Sequence, residues 1–208
     1  MLQFFKKNKE VVLSTILVTS LGFCEYNLAG FIVKYFELPR TNVLIHLDNY
    51  IPLVSYFVIF YILWYPIVFI APVYIGLKHK MNFKNFLLIK LIEILISFFI
   101  HILFPTYVGK DMLQNHNIFD VVLNFIYSND IGNAFPSGHV FDTWNIWLAY
   151  KESRNIGLNV KILVFITNIL ICCSTVFTKQ HGIIDVFAAI LLCEFLWTFI
   201  KKRAKSFN

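Results

Sequence analysis

The sequence predicts an all-α fold, a polytopic membrane bundle of about six transmembrane helices, and three observations predict it. Of the 208 residues, 58% are hydrophobic and only 14% are charged. An ordinary soluble domain carries about 25% charged residues. Apolar runs recur at 11–33, 51–77, 84–104, 137–150, 160–178 and 182–200, most of them near the ~20 residues that a spanning helix needs. Basic residues flank those runs and do not form one patch, so the net charge of +6 reads as orientation in a bilayer, not as a nucleic-acid surface. No internal repeat or low-complexity linker divides the chain. Residues 1–208 are therefore read as a single integral membrane domain.

The elements follow in order. Lys6, Lys7 and Lys9 precede the first run as they would in a signal peptide, but no small-x-small cleavage site follows, so it is read as an uncleaved first span. The third run holds Lys90 and Glu93, spaced to pair across one helical turn. Between the third and fourth runs, "IFDVVLNFIY" at 118–127 places Phe119, Val122, Leu123 and Ile126 at helical spacing. It is expected to form a short amphipathic helix on the outer interface. The fourth run is the shortest and least apolar, and is read as a span because its neighbours demand one. Cys24, Cys172, Cys173 and Cys193 all lie in apolar runs and match no zinc or redox spacing, so small buried hydrophobes are expected. His101 and His116 read as interfacial bystanders.

Charges assign the sides. Lys6, Lys7, Lys9, Lys78, Lys80, Lys84, Lys151, Arg154, Lys161, Lys201, Lys202, Arg203 and Lys205 collect on one side. Only Lys34, Arg40, Lys110 and Lys179 fall on the other, with Lys90 inside a span. The positive-inside rule then puts both termini in the cytoplasm and the loops 34–50, 105–136 and 178–181 outside.

Two polar motifs interrupt the apolar pattern at that outer level. In "NAFPSGHV" (133–140), Pro136 suits a first helical turn, and Ser137 and Gly138 leave backbone amides free for an anion. His139 then stands beside the anion and can supply a proton. In "STVFTKQHGIID" (174–185), His181 and Asp185 share a helix face. A carboxylate on one imidazole nitrogen leaves the other as a lone-pair nucleophile. No dense carboxylate or Cys/His cluster lies near either motif, so no metal and no cofactor is expected.

These motifs resemble two signatures of the type 2 phosphatidic acid phosphatase superfamily, Pro-Ser-Gly-His and Ser-Arg-x5-His-x3-Asp. "FPTYVGKDM" at 104–112 stands where that superfamily has Lys-x6-Arg-Pro. The resemblance implies a metal-independent lipid phosphatase with its active site on the extracytoplasmic face. It implies His181 as the nucleophile that forms a phosphohistidine, Asp185 as its orienter and His139 as the acid. It places Ser137, Gly138 and Ser174 at the phosphoryl oxygens. The usual cations are thinned: Thr175, Lys110 and Leu103 occupy positions of Arg, Arg and Lys, so Lys110 and Lys179 are expected to carry the charge on the phosphate. The expected partners are membrane lipids and a lipid phosphate such as phosphatidic acid, phosphatidylglycerol phosphate or a polyprenyl diphosphate. The run Ser-Thr…Lys-Gln-His is closer to the branch with inositol phosphorylceramide synthases. This leaves a lipid phosphotransferase, or a non-catalytic lipid-binding or transport protein, as alternatives.

Overall fold

The computed structural model describes residues 8–206, with side chains to residue 202. Lys6 and Lys7 lie outside the described residues, and of Arg203 and Lys205 only the backbone is described. The fold is an all-α bundle. Its helices are α1 (Lys9–Tyr35), α2 (Val58–Lys78), α3 (Lys80–Leu103), α4 (Ile118–Ser128), α5 (Gly138–Lys151), α6 (Leu158–Phe177) and α7 (Ile183–Ser206). Five of them, α1, α2, α3, α6 and α7, are long and apolar enough to cross a membrane.

The predicted run 137–150 forms α5, but at 14 residues it is shorter than those five. Its position explains why. It packs against α2, α3, α6 and α7, so little of it meets a surrounding phase, and Phe141, Asn145 and Ile146 are buried in the centre. Its register against α3 is antiparallel. Asn82 Nδ2 donates to the Ala149 carbonyl (3.1 Å), Asn145 Nδ2 to the Phe86 carbonyl (3.2 Å), and Lys90 pairs with Asp142 (2.7 Å). Against α7 it is parallel: the Ser137 amide donates to the Asp185 carbonyl, and Glu152 pairs with Lys201.

Proline inside α2 is tolerated because α1 compensates. Pro72 has no N–H, which frees the carbonyl of Val68 four residues earlier. Thr19 Oγ1 of α1 donates to that carbonyl at 3.4 Å. Only His79 separates α2 from α3. Its Nδ1 accepts from the Asn82 amide and caps α3.

The polar end of the bundle is built by loops. A two-residue parallel bridge pairs Thr41–Asn42 (β1) with Thr106–Tyr107 (β2). The amphipathic helix expected at 118–127 is α4. Asn117 caps it, and Leu123 and Tyr127 pack with Val58 at the start of α2. The opposite end gathers Lys78, Lys151, Lys161 and Lys201 through contacts such as Lys161 to the Lys151 carbonyl and Asn155 to the Lys78 carbonyl. The four cysteines are free. Cys172 and Cys193 are buried as expected, whereas Cys24 is exposed on the outside of α1.

Candidate functional site

The two motifs meet because α6 ends in a tight reversal. Lys179 takes a left-handed backbone (φ 52°) just past Thr178, and the Thr175 carbonyl then accepts from the amides of both Gln180 and His181. That turns His181 back over the helix end. Asp48 fixes the turn from the short 3-10 helix His46–Tyr50, within the segment 34–50 that was read only as an outer loop. One of its oxygens accepts from the Ile183 amide and caps α7; the other accepts from the Ile45 amide. Thr106, within the segment that matched the first signature only loosely, holds the second motif. Its carbonyl accepts from the Asn133 amide, and its Oγ1 accepts from the Phe135 amide. Gly132 stands at φ 86°, packed under the Arg40 guanidinium, where a side chain would be both strained and obstructed.

His181 Nδ1 lies 2.8 Å from the Ala134 carbonyl and 3.4 Å from Asp185 Oδ2. A carbonyl only accepts, so Nδ1 carries the proton and a neutral ring keeps its lone pair on Nε2. The tautomer expected from Asp185 is thus set first by a backbone carbonyl. Asp185, fully buried, accepts from the Gly182 amide at 2.9 Å. The His139 ring lies 5.9 Å from the His181 ring, centre to centre. It is stacked on Tyr61 at 4.3 Å and packed on Trp64 at 4.1 Å. Those aromatic walls fix the imidazole, and its buried Nε2 has no partner among the described residues.

Both histidines and Gly138 line a cavity of about 320 Å³ inside the bundle. A Cβ built on Gly138 would meet no atom within 4 Å, so the glycine keeps that wall open. Ser137, fully buried, caps α5 through a bond from the Val140 amide and does not face the cavity. Ser174 is likewise fully buried, donating to the Ile171 carbonyl outside the cavity. Lys179 points away, its ammonium donating to the carbonyls of Asp48 (2.9 Å) and Ile51 (2.6 Å). Lys110 stands behind the wall, bonded to Asp130 and to Gln180 Oε1 (2.8 Å), with Tyr127 beneath it. Burial raises the Asp130 pKa, but Lys110 and the Gly132 amide outweigh it and hold the carboxyl below its usual range.

Beyond the histidines the cavity follows one stripe of α3, formed by Lys90, Glu93, Ser97 and His101. Lys90 pairs with Glu93 at 2.8 Å, as its spacing suggested, and also with Asp142. His101 is not a bystander. It is buried and bonded through Nδ1 to Glu25 at 2.8 Å. Asn133 and Gln180, both lining the cavity, were within the quoted motifs but were not singled out. Their signal was position alone, one residue before Ala134 and one before His181. Among the described residues, no group of three or more His, Cys, Asp or Glu is placed to hold a metal ion. Compared with known proteins, the chain matches no family model, no curated protein and no solved structure, so the functional reading rests on this geometry.

Proposed function

We propose that the protein is a metal-independent lipid phosphatase that works through a phosphohistidine on His181. The observation that carries this reading is the bond from His181 Nδ1 to the Ala134 carbonyl, which leaves Nε2 as a lone-pair donor in the cavity shared with His139. Nε2 attacks phosphorus and the bond to the lipid alcohol breaks. His139, protonated beside the bound anion, gives its proton to the leaving oxygen. Water then attacks the phosphohistidine and passes a proton to His139, and the P–N bond breaks, restoring the lone pair. The positive end of α5, which meets the cavity at Gly138 and His139, favours the anion.

The test is a panel of lipid phosphates incubated with the purified full chain in excess EDTA. Release of the lipid alcohol, with acid-labile phosphate on His181 after a rapid quench, is the expected result. Absence of both products and intermediate for every lipid, or activity that returns only with added magnesium or zinc, would defeat the proposal. A new phosphodiester without hydrolysis would instead assign lipid phosphotransfer.

The same reading sets both termini in the cytoplasm and the site outside, from the charge split. In a background lacking native cysteines, exposed Gln114→Cys should react with an impermeant thiol reagent added to intact cells. Exposed Arg154→Cys should not. The reverse pattern would place the site in the cytoplasm.

A further inference from the structure

A second cavity, of about 200 Å³, lies at the end of the bundle opposite the polar loops, between the last turn of α5 and α7. The parallel register of these helices brings Lys151 to the level of Lys201 and Lys202, and all three line it above Leu148 and Trp197. Its acids are already committed. Glu152 pairs with Lys201 at 2.7 Å, and Glu194 accepts from Trp144 Nε1 at 3.0 Å. Lys151 and Lys202 are exposed, and neither ammonium has a bond or ion pair with a described residue. The carbonyl end of α5 would repel an anion, but it is covered: Lys161 Nζ donates to the Lys151 carbonyl at 3.0 Å. The cavity therefore presents two positive charges that have no partner of their own.

It also stands at the foot of a groove. The helices α6 and α7 both pack on α5 and have no extensive contact with each other. On α5, Trp147 meets Phe165 of α6, ring centres 4.8 Å apart, and Asn145 bonds to Trp197 of α7. Trp144, Leu148 and Lys151 fall between those two faces at helical spacing and form the floor. The walls are apolar and exposed. On α6, Ile162 and Ile169 flank Phe165 one turn to either side. On α7, Phe187 and Leu191 continue the line of Glu194 and Thr198. An acyl chain would cover such a groove, whereas a soluble anion would leave it bare. A zwitterionic head group would set its own ammonium beside Lys151 and Lys202. An anionic one would not, and basic pockets between spanning helices suit it.

We propose that this site holds an anionic phospholipid, its phosphate at Lys151 and Lys202 and an acyl chain along the floor between α6 and α7. The inference is independent of the phosphohistidine reading, since it uses no residue of the histidine cavity.

The experiment titrates the purified, delipidated full chain in neutral detergent with phosphatidylglycerol or phosphatidylcholine of the same acyl chains. Bound lipid is read by native mass spectrometry and stability by thermal unfolding. Phosphatidylglycerol should bind as a single molecule per chain, ~10-fold or more tighter than phosphatidylcholine, and should raise the unfolding temperature. Lys151→Gln combined with Lys202→Gln should weaken it ~10–30-fold. Lys80→Gln combined with Arg154→Gln removes two exposed charges from the same end but none from the cavity, and should leave binding nearly unchanged. Equal losses in the two double variants would reduce the effect to diffuse attraction and overturn the site. So would equal binding of phosphatidylcholine, or glycerol 3-phosphate raising the unfolding temperature as far as the lipid does. A chain that dimerises and binds neither lipid would give the groove to a second copy and overturn it as well. The wild-type comparison decides the head group even if a variant does not fold.

Discussion

His181→Ala should leave no lipid turnover and no acid-labile phosphoenzyme, because the substitution removes the only atom assigned to bond phosphorus. His139→Ala should retain slow formation of the intermediate with turnover reduced ~10²–10⁴-fold, the usual worth of a general acid. Asp185→Asn should cost less than His181→Ala. The Ala134 carbonyl still holds Nδ1 at 2.8 Å, and an amide oxygen can still accept from Gly182. The measurements are steady-state release of the lipid alcohol and phosphate trapped on the protein, on variants that elute as folded material. Wild-type turnover in either histidine variant would remove the mechanism.

Lys90→Met should produce the largest loss of stability. Lys90 is 7% exposed, midway along α3, and its ammonium lies between Glu93 and Asp142 at 2.8 and 2.7 Å. Gly22 of α1 makes room for it; a Cβ there would come within 3.3 Å of the lysine stem. Without the cation, two buried carboxylates remain together, and among the described residues only Ser97 donates to one of them. Breaking a buried ion pair by removing one partner costs about 3–5 kcal/mol, and within a bundle that crosses a membrane water offers little relief. Thermal unfolding in detergent should show the loss. Adding Glu93→Gln and Asp142→Asn to Lys90→Met should recover most of it, since no unpaired charge then remains. A single variant as stable as wild type would mean that the triad is solvated.

Sequence alone made the bundle legible because hydropathy reports what a backbone in lipid must do: close its hydrogen bonds within helices. The five long helices and α4 lie close to where the pattern put them. The run at 137–150 was harder to size, since a helix shielded by four others need not be as long or as apolar as one that meets lipid. His139, His181 and Gly138 were also legible, because motif spacing and helix geometry act over a few residues. The resemblance assigned Ser174 to the phosphate, and Lys179 was expected to replace the cations missing from its motifs. A left-handed turn at Lys179 sends its side chain to the loop at 48–51, and Ser174 bonds back to its own helix. Such departures depend on tertiary partners far along the chain. Glu25, in mid-span, read as an interhelical hydrogen-bond staple, which its bond to His101 is, though no local pattern named that partner. Asp48 and Thr106 were missed for the same reason: each acts on a residue that no local pattern links to it.

The one-residue connection at His79 bears on how the chain is threaded into a bilayer during synthesis. With only His79 between Lys78 and Lys80, α2 and α3 are built to enter as a helical hairpin, and in the proposed topology its basic bend stays on the side of the ribosome. A lone α2 would carry the Val68 carbonyl into hydrocarbon unsatisfied, at a cost of several kcal/mol. Thr19 on α1 is synthesised first and is already present to accept the hairpin. The order of the first three helices in the chain is therefore also a workable order of insertion, in which α2 arrives to find the donor that its own sequence lacks.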